Sequence, residues 1–214
     1  MIRFRKFLFT AGVLLGAVAV PAQTKLQQQL SKVDLGVQAV GEFSSSPSGP
    51  VTIPATNQGQ IVTLSPSNTV GALVTIRYVA SPYLGAEFNG GYSRYTENLS
   101  VAPGAIQTQA DEFTLGYLAT PPYRIFGVKP YASAGVGGLR FAPTAGGGEG
   151  APHQGRLALY YHVGVQKDIV PDVFGIRLGF RELFYTAPDF FQNYLTINKR
   201  ATTSEPMIGV YLRF

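Results

Sequence analysis

Apolar and polar residues alternate along eight segments of the chain. In residues 33–43 the odd positions are apolar or glycine, and the even positions include Asp34, Gln38 and Glu42. Successive side chains of a strand point to opposite faces, so a period of two predicts a strand with one apolar and one polar face. The same alternation recurs at residues 70–78, 84–89, 112–117, 128–141, 157–166, 174–181 and 208–214. The pattern predicts an all-β chain of eight strands.

The connections between these strands are predicted to alternate in length. The long ones lie at residues 44–67, 95–108, around 146–150 and at 186–203, and are rich in Ser, Thr, Gly and Pro. The short ones lie at residues 81–83, 120–127 and 168–172. Long connections at one end and short turns at the other are typical of an up-and-down transmembrane barrel. We therefore expect an eight-stranded antiparallel transmembrane β-barrel with four long extracellular loops.

The charged residues of the strands share one face, opposite the apolar residues. In a soluble, lipocalin-like barrel the charges would face water and the apolar side chains the interior, but only 14% of this chain is charged, against roughly 25% in soluble domains. An Arg on the lipid face of a barrel costs about 2–4 kcal/mol at mid-bilayer, so the charged face is expected to point inward. The predicted interior ion-pair network consists of Asp34, Glu42, Arg77, Glu87, Glu112, Arg177, Arg181 and Arg213.

Two pairs within this network follow from the predicted strand order. The short turn at residues 81–83 places Arg77 opposite Glu87 on one face, within reach of an ion pair. Closure of the barrel brings the first strand beside the last, which predicts a second contact between Asp34 and Arg213. Because eight strands enclose only enough room for side chains, the lumen is expected to be filled.

The first 22 residues have the layout of a secretory signal peptide. Arg3, Arg5 and Lys6 precede an apolar run at residues 7–20, and small residues lead to an expected cleavage after Ala22. The predicted domains are therefore a signal peptide, residues 1–22, and a barrel, residues 23–214. Without the three basic residues of the leader, the formal charge falls from +5 to +2, so no nucleic-acid partner is expected.

The chain ends in the sequence MIGVYLRF, residues 207–214, with apolar residues at alternate positions before a terminal aromatic. Together with the leader and the alternating strands, this ending resembles the small outer-membrane β-barrel proteins, such as the outer-membrane protein A-like transmembrane domain and related surface antigens. The resemblance implies a place in a Gram-negative outer membrane, with the lipid bilayer and the barrel assembly machinery as partners. It also implies that the machinery reads Ile208, Val210, Leu212 and Phe214 as an assembly signal.

Residues that could carry catalysis or bind a metal are few. The chain has no Cys and two His, of which His153 is expected in a solvated loop and His162 as a hydrogen-bonded interior residue. No catalytic residue, cofactor or metal site is predicted, and the chain is not expected to be an enzyme. The predicted role is structural or surface-interactive, in envelope integrity, adhesion or recognition through an extracellular ligand that the sequence does not name. A narrow porin-like channel or transporter and a lipid-modifying barrel enzyme are the alternatives.

Overall fold

Eight antiparallel strands form the body of the molecule in a computed structural model that describes residues 27–214. The predicted signal peptide lies outside the described residues. The barrel strands are β1 (Val33–Ser44), β4 (Thr69–Ser81), β5 (Leu84–Leu99), β6 (Ala105–Ala119), β7 (Lys129–Pro143), β8 (Gln154–Val170), β9 (Phe174–Thr186) and β10 (Arg200–Arg213). The first connection also contains the short strands β2 (Ser48–Pro50) and β3 (Ile61–Pro66), and the last contains a 3-10 turn at Asn193–Leu195.

The strands close into a barrel because the first pairs with the last. Each barrel strand pairs with the next along the chain, and β1 pairs with β10 in a register that sets Val37 opposite Val210 and Leu35 opposite Leu212. This arrangement confirms the predicted eight-stranded antiparallel barrel. Within residues 27–214, no helix has the length and apolar character needed to cross a membrane.

The lengths of the connections differ from the prediction at one hairpin. β5 and β6 extend far beyond the predicted strands, so only residues 100–104 connect them, whereas residues 120–128 connect β6 to β7. The expected strict alternation of long and short connections is therefore wrong, and three of the four expected loops are long. In the extension of β5 the inward Tyr95 and Leu99 are apolar, the inward Glu97 is charged, and the outward Thr96 and Asn98 are polar. The extension therefore lacks the apolar outward face that identifies the other strand segments.

The two ends of the barrel carry different connections. The end with the β1–β4, β5–β6, β7–β8 and β9–β10 connections is named here the loop end. The opposite end, with the turns at residues 82–83, 120–128 and 171–173, is named the turn end. The chain terminus at Phe214 also lies at the turn end, directly after β10.

The outer surface of the barrel is a continuous apolar girdle. Outward positions expose large apolar side chains on each barrel strand, including Val37, Ile76, Phe88, Leu115, Val136, Val163, Leu178 and Val210. An apolar surface of this extent would drive a water-soluble protein to aggregate. A bilayer instead requires it, and the closed barrel satisfies the hydrogen bonds of the strand backbones internally. The outward aromatic residues include Tyr78, Tyr92, Tyr117, Tyr161, Phe174 and Phe214.

Inward-facing glycines make room for tyrosines inside the barrel. A Cβ atom on Gly175 would overlap the ring of Tyr211, and one on Gly179 would lie 2.6 Å from the hydroxyl of Tyr131. The absence of a side chain at these positions lets both rings pack flat against the wall. Tyr131 and Tyr211 are consequently 3% and 1% exposed, and they fill the turn-end half of the lumen.

Candidate functional site

The centre of the lumen holds an ion pair between Arg77 and Glu87. The turn between β4 and β5 sets these residues directly opposite each other, and Nε of Arg77 donates to Oε2 of Glu87 at 2.6 Å. Both side chains are fully buried. Oγ of Ser133 also donates to Glu87 at 2.8 Å, and Nδ1 of His162 lies 3.3 Å from the same carboxylate. The pair predicted from the register is thus present within a larger hydrogen-bonded group.

A second ion pair fills the lumen towards the turn end. Nη2 of Arg177 donates to Oδ1 of Asp34 at 3.0 Å and to Oε1 of Gln166 at 3.2 Å. Asp34 does lie opposite Arg213 in the β1–β10 register. The predicted Asp34–Arg213 contact is nevertheless wrong, because Arg213 sits at the end of β10 and reaches the rim, where Nη1 lies 3.5 Å from Oδ1 of Asp168.

The third cluster lies in the loop-end half of the lumen. Nη1 of Arg181 donates to Oε2 of Glu112 at 3.0 Å and to Oε2 of Glu205 at 3.1 Å, and Nη2 contacts the second oxygen of Glu112. Glu42 joins Glu112 and Glu205 in the lining of a cavity of about 40 Å³, which has room for a few water molecules. Of the predicted network, Glu42 alone makes no ion pair among the described residues.

Glu205 was missing from the sequence prediction. It directly precedes Pro206 and lies between the predicted connection at residues 186–203 and the predicted last strand at residues 208–214. The alternation does continue backwards through the buried residues Met207, Glu205, Thr203 and Ala201. This continuation is the signal that could have revealed the residue.

Arginine and tyrosine side chains alternate in a column that runs from the turn-end rim to the centre of the lumen. The guanidinium of Arg213 lies 5.5 Å from the ring centre of Tyr211, and that of Arg177 lies 4.7 Å from the same ring. Arg177 also lies 5.6 Å from the ring of Tyr131, over which Arg77 packs at 4.0 Å. These are cation–π distances, so the column is held by electrostatic attraction as well as by packing.

The two histidines lie in different surroundings. His162 is fully buried, and its Nε2 lies 2.8 Å from the Tyr131 hydroxyl while its Nδ1 faces Glu87. His153 is exposed in the β7–β8 connection, where its Nδ1 lies 3.0 Å from Nη2 of Arg140. In residues 27–214, no group of three or more His, Cys, Asp or Glu residues is arranged to hold a metal ion.

An apolar cap closes the loop end above the charged clusters. It joins side chains of the β1–β4 connection to side chains of the β9–β10 connection and to aromatic residues at the top of the lumen. Its main members are Val51, Val62, Leu64, Tyr95, Phe141, Tyr185, Phe190, Leu195 and Ile197. The two longest connections therefore pack against each other and against the barrel.

Asp189 joins the β9–β10 connection to β8 through hydrogen bonds and an ion pair. Its carboxylate accepts hydrogen bonds from Nε2 of Gln154 at 2.6 Å and from Oγ1 of Thr196 at 2.9 Å, and lies 3.1 Å from Nη2 of Arg156. Burial raises the pKa of the Asp189 carboxyl, but the two hydrogen bonds and the charge of Arg156 outweigh it. The pKa of Asp189 consequently lies below its ordinary value, and the carboxylate is ionised in the folded protein.

A polar vestibule of about 430 Å³ opens at the turn end. Lys32, Asp34, Lys129, Gln166 and Arg213 line it together with residues of the three turns. Asp34 lines the vestibule and forms the ion pair with the buried Arg177. The vestibule therefore ends where the Arg–Tyr column begins.

Comparison with known proteins identifies the fold. No protein-family model and no curated protein matches the chain. Neisserial surface protein A has a TM-score of 0.56 and 16% identity over 86% of this chain and 97% of its own. The outer membrane protein OprG from Pseudomonas aeruginosa also has a TM-score of 0.56, with 14% identity over 85% of this chain and 94% of its own. The chain has the fold of the small outer-membrane β-barrels. The likeness to both structures is one of fold alone.

The outer-membrane barrel fold assigns the two ends of the molecule. Together with the apolar girdle, it places the chain in an outer membrane, with the strands crossing the bilayer. Barrels of this type carry long extracellular loops and short periplasmic turns. We therefore expect the loop end with its apolar cap to be extracellular and the turn end with its vestibule to be periplasmic.

Proposed function

We propose that this barrel has a structural and surface-interacting role, with a lumen that does not conduct solutes. The observation that carries the proposal is the filling of the lumen along its length. The Arg–Tyr column fills the periplasmic half, the Arg77–Glu87 and Arg181 clusters fill the centre, and the cap covers the extracellular end. This leaves the extracellular loops as the part of the chain that can meet a partner outside the cell.

The buried charges support a fixed lumen more than a gated one. Arg77, Arg177 and Arg181 are 0% exposed, and each contacts at least one carboxylate. Removal of one partner from a buried ion pair costs about 3–5 kcal/mol, because the remaining charge is left unpaired. Opening a pore through these clusters would break several such contacts at once. We infer that the network stabilises the barrel and holds the lumen closed.

A conductance measurement in planar bilayers tests this proposal. The wild-type protein is expected to show no stable open level. The variant Arg181→Ala removes the side chain between Glu112 and Glu205 but leaves the Arg–Tyr column and the cap in place, so it is expected to stay closed as well. A steady current through the wild-type protein would contradict the closed lumen.

The vestibule favours a second candidate, a narrow channel or transporter for small solutes. It is polar, opens at the turn end and extends inward as far as Asp34 and Gln166. If it were part of a pathway, the vestibule variant Lys129→Gln would change the ion selectivity of a wild-type current. The closed lumen predicts that there is no such current to change.

We further propose that the chain is not a lipid-modifying enzyme. His162 is enclosed by Tyr131 and Glu87, and the nearby Ser133 donates its hydrogen bond to Glu87 rather than to the histidine. An acyl chain in the bilayer would have to cross the barrel wall to reach these groups. Lipid A mass spectra of cells with and without the gene are expected to be identical, and a difference of one acyl chain would favour the enzyme.

The outward face of β10 supports a role in assembly. Ile208, Val210, Leu212 and Phe214 all lie on the lipid side, between 43% and 61% exposed, on the strand that closes the barrel against β1. We propose that this face is the signal that the barrel assembly machinery recognises. A variant of Phe214 that folds in detergent but fails to insert in cells would support this role.

A further inference from the structure

The outward face of the β5–β6 hairpin changes from apolar to polar partway along the strands. Towards the extracellular end, its outward residues run Phe88, Gly90, Tyr92, Arg94, Thr96, Asn98 in β5 and Tyr117, Leu115, Phe113, Asp111, Gln109, Gln107 in β6. The register sets Tyr92 opposite Asp111 and Arg94 opposite Gln109, so the change occurs at one height on both strands. The lipid-facing surface of the hairpin ends at this height.

The residues beyond this boundary form a surface that we name the polar wall. Its members are Arg94, Thr96, Asn98, Gln107, Gln109 and Asp111 of the hairpin, with Arg140 on the neighbouring strand β7. The outward residues of the described segments 94–98 and 107–111 are all polar. The inward residues at this level, such as Tyr95 and Ile106, belong to the buried cap. The hairpin therefore continues the barrel wall above the apolar girdle, with one face exposed.

Hydrogen bonds order the side chains of the polar wall. Nη2 of Arg94 donates to Oε1 of Gln107 at 2.6 Å, and Nε2 of Gln109 donates to Oδ1 of Asp111 at 2.8 Å. Nη1 of Arg140 lies 3.4 Å from Oδ2 of Asp111. Among the described residues Arg94 forms no ion pair, and the Arg140 side chain is 57% exposed. Nη2 of Arg140 also lies 3.0 Å from Nδ1 of His153. An anion from outside would therefore meet a guanidinium without an ion pair at Arg94 and would compete with Asp111 for Arg140.

The two arginines stand on either side of β6. Arg94 lies opposite Gln109, and Arg140 lies opposite Asp111, two residues further along β6. β5 and β7 are separated by two inter-strand spacings, and the two arginines are offset by two residues along the strands. Together these distances put their Cα atoms about 12 Å apart. The polar wall thus presents two cations about 12 Å apart, with the amide of Gln109 and the carboxylate of Asp111 on the strand between them.

We propose that the polar wall binds the phosphorylated sugar headgroup of a glycolipid in the outer leaflet. Arg94 and Arg140 would each hold a phosphate, since a guanidinium offers paired donors to phosphate oxygens. Thr96, Asn98 and Gln109 would exchange hydrogen bonds with sugar hydroxyls. The wall begins directly above Tyr92 and Phe113, which is the height at which acyl chains end and headgroups begin.

The chemistry of the wall argues for a headgroup rather than a protein partner. Protein interfaces bury an apolar core surrounded by polar groups, and the outward residues that form the wall offer no such core. The inference rests on the membrane placement in the proposed function. If a variant loses heat-modifiable migration on gels, its barrel has failed to form. If it keeps that migration but loses headgroup binding, the defect lies in the polar wall alone.

Native mass spectrometry of the refolded protein in detergent tests the proposal, with bisphosphorylated lipid A and its dephosphorylated form as probes. The test variant is Arg94→Gln with Arg140→Gln. The control is Lys167→Gln, which removes one positive charge from the exposed outward face of β8 near the turn end, far from the wall. A second variant, Arg94→Lys with Arg140→Lys, keeps both charges but removes the paired donors.

The wild type and Lys167→Gln are expected to bind bisphosphorylated lipid A at least about tenfold more tightly than the double Gln variant. Each Arg or Lys near an anionic lipid surface strengthens binding, and the double variant loses two of them at the binding surface. Dephosphorylation should weaken binding to the wild type by a similar factor and leave the double Gln variant unaffected. The double Lys variant should bind with intermediate affinity. Equal binding by the wild type and the double Gln variant, or an equal loss in Lys167→Gln, would overturn the proposal.

Discussion

Arg77 and Glu87 face each other across β4 and β5 with their side chains in contact and fully shielded from solvent. Nε of Arg77 lies 2.6 Å from Oε2 of Glu87, and the ring of Tyr131 covers the guanidinium at 4.0 Å. Glu87 is also the acceptor for Ser133, and it faces His162. One carboxylate therefore connects β4, β5, β7 and β8 through the lumen.

Removal of that carboxylate should destabilise the barrel strongly. The variant Glu87→Ala leaves Arg77 buried without its anion, and we expect a loss of about 3–5 kcal/mol in the free energy of unfolding. Urea unfolding of the protein in lipid vesicles, followed by the loss of heat-modifiable migration, measures the change. Asp172→Asn is the control, because that side chain is 93% exposed and Asn tolerates the positive φ of 60° at this position, so the change should cost less than about 0.5 kcal/mol. Equal midpoints for the two variants would contradict an energetic role of the pair.

The sequence could predict contacts between neighbouring strands but not contacts across the lumen. The turn of two residues between β4 and β5 fixes their register, so the opposition of Arg77 and Glu87 could be derived. Asp34 and Arg177 lie on β1 and β9, which are not adjacent, and their contact depends on the tilt and shear of the closed barrel. Alternation within one strand contains no information on those quantities.

The cap was beyond prediction for a different reason. Val51, Phe190 and Leu195 are isolated apolar residues in connections rich in Ser, Thr, Asn and Pro, without a period of two or 3.6. Their burial depends on contacts between connections that are more than a hundred residues apart in the chain. The girdle, in contrast, was predictable, because its residues repeat at every second position of each strand.

Space for Tyr131 inside the barrel should depend on Gly179. An added methyl group there would lie 2.6 Å from the Tyr131 hydroxyl and 2.6 Å from Nε2 of His162, and neither group can move without losing its hydrogen bond. We expect Gly179→Ala to lower the free energy of unfolding by about 1–3 kcal/mol through overpacking. Gly138→Ala is the control, because a Cβ atom at that outward position would meet nothing within 4 Å. Urea unfolding compares both variants, and a similar stability for the two would show that the lumen is loosely packed.

Deletion of Phe214 should impair assembly more than it impairs stability. Phe214 is 58% exposed at the end of the lipid-facing row of β10, and it has no ion pair or side-chain hydrogen bond to lose. We expect the deleted variant to refold in detergent with nearly unchanged stability but to accumulate in cells as unfolded, protease-sensitive chain. Phe214→Tyr, which keeps an aromatic ring at the interface, should assemble normally. Normal insertion of the deleted variant in the outer membrane would argue against an assembly signal in this residue.

The extracellular cap should loosen in acid through Asp189. The pKa of this carboxyl is lower in the folded protein than its ordinary value, so ionised Asp189 contributes stability that is fully present above the unfolded pKa, which is near 4. As the pH falls through the folded pKa, protonation weakens the contacts with Gln154, Thr196 and Arg156, and this stability is lost. Hydrogen–deuterium exchange of residues 189–197, corrected for the intrinsic pH dependence, should therefore show a loss of protection below about pH 4. Asp189→Asn should show lower protection at neutral pH and a flat response to acid, whereas Asp172→Asn should follow the wild type. A wild-type profile as flat as that of Asp189→Asn would contradict the role of this carboxylate in holding the cap.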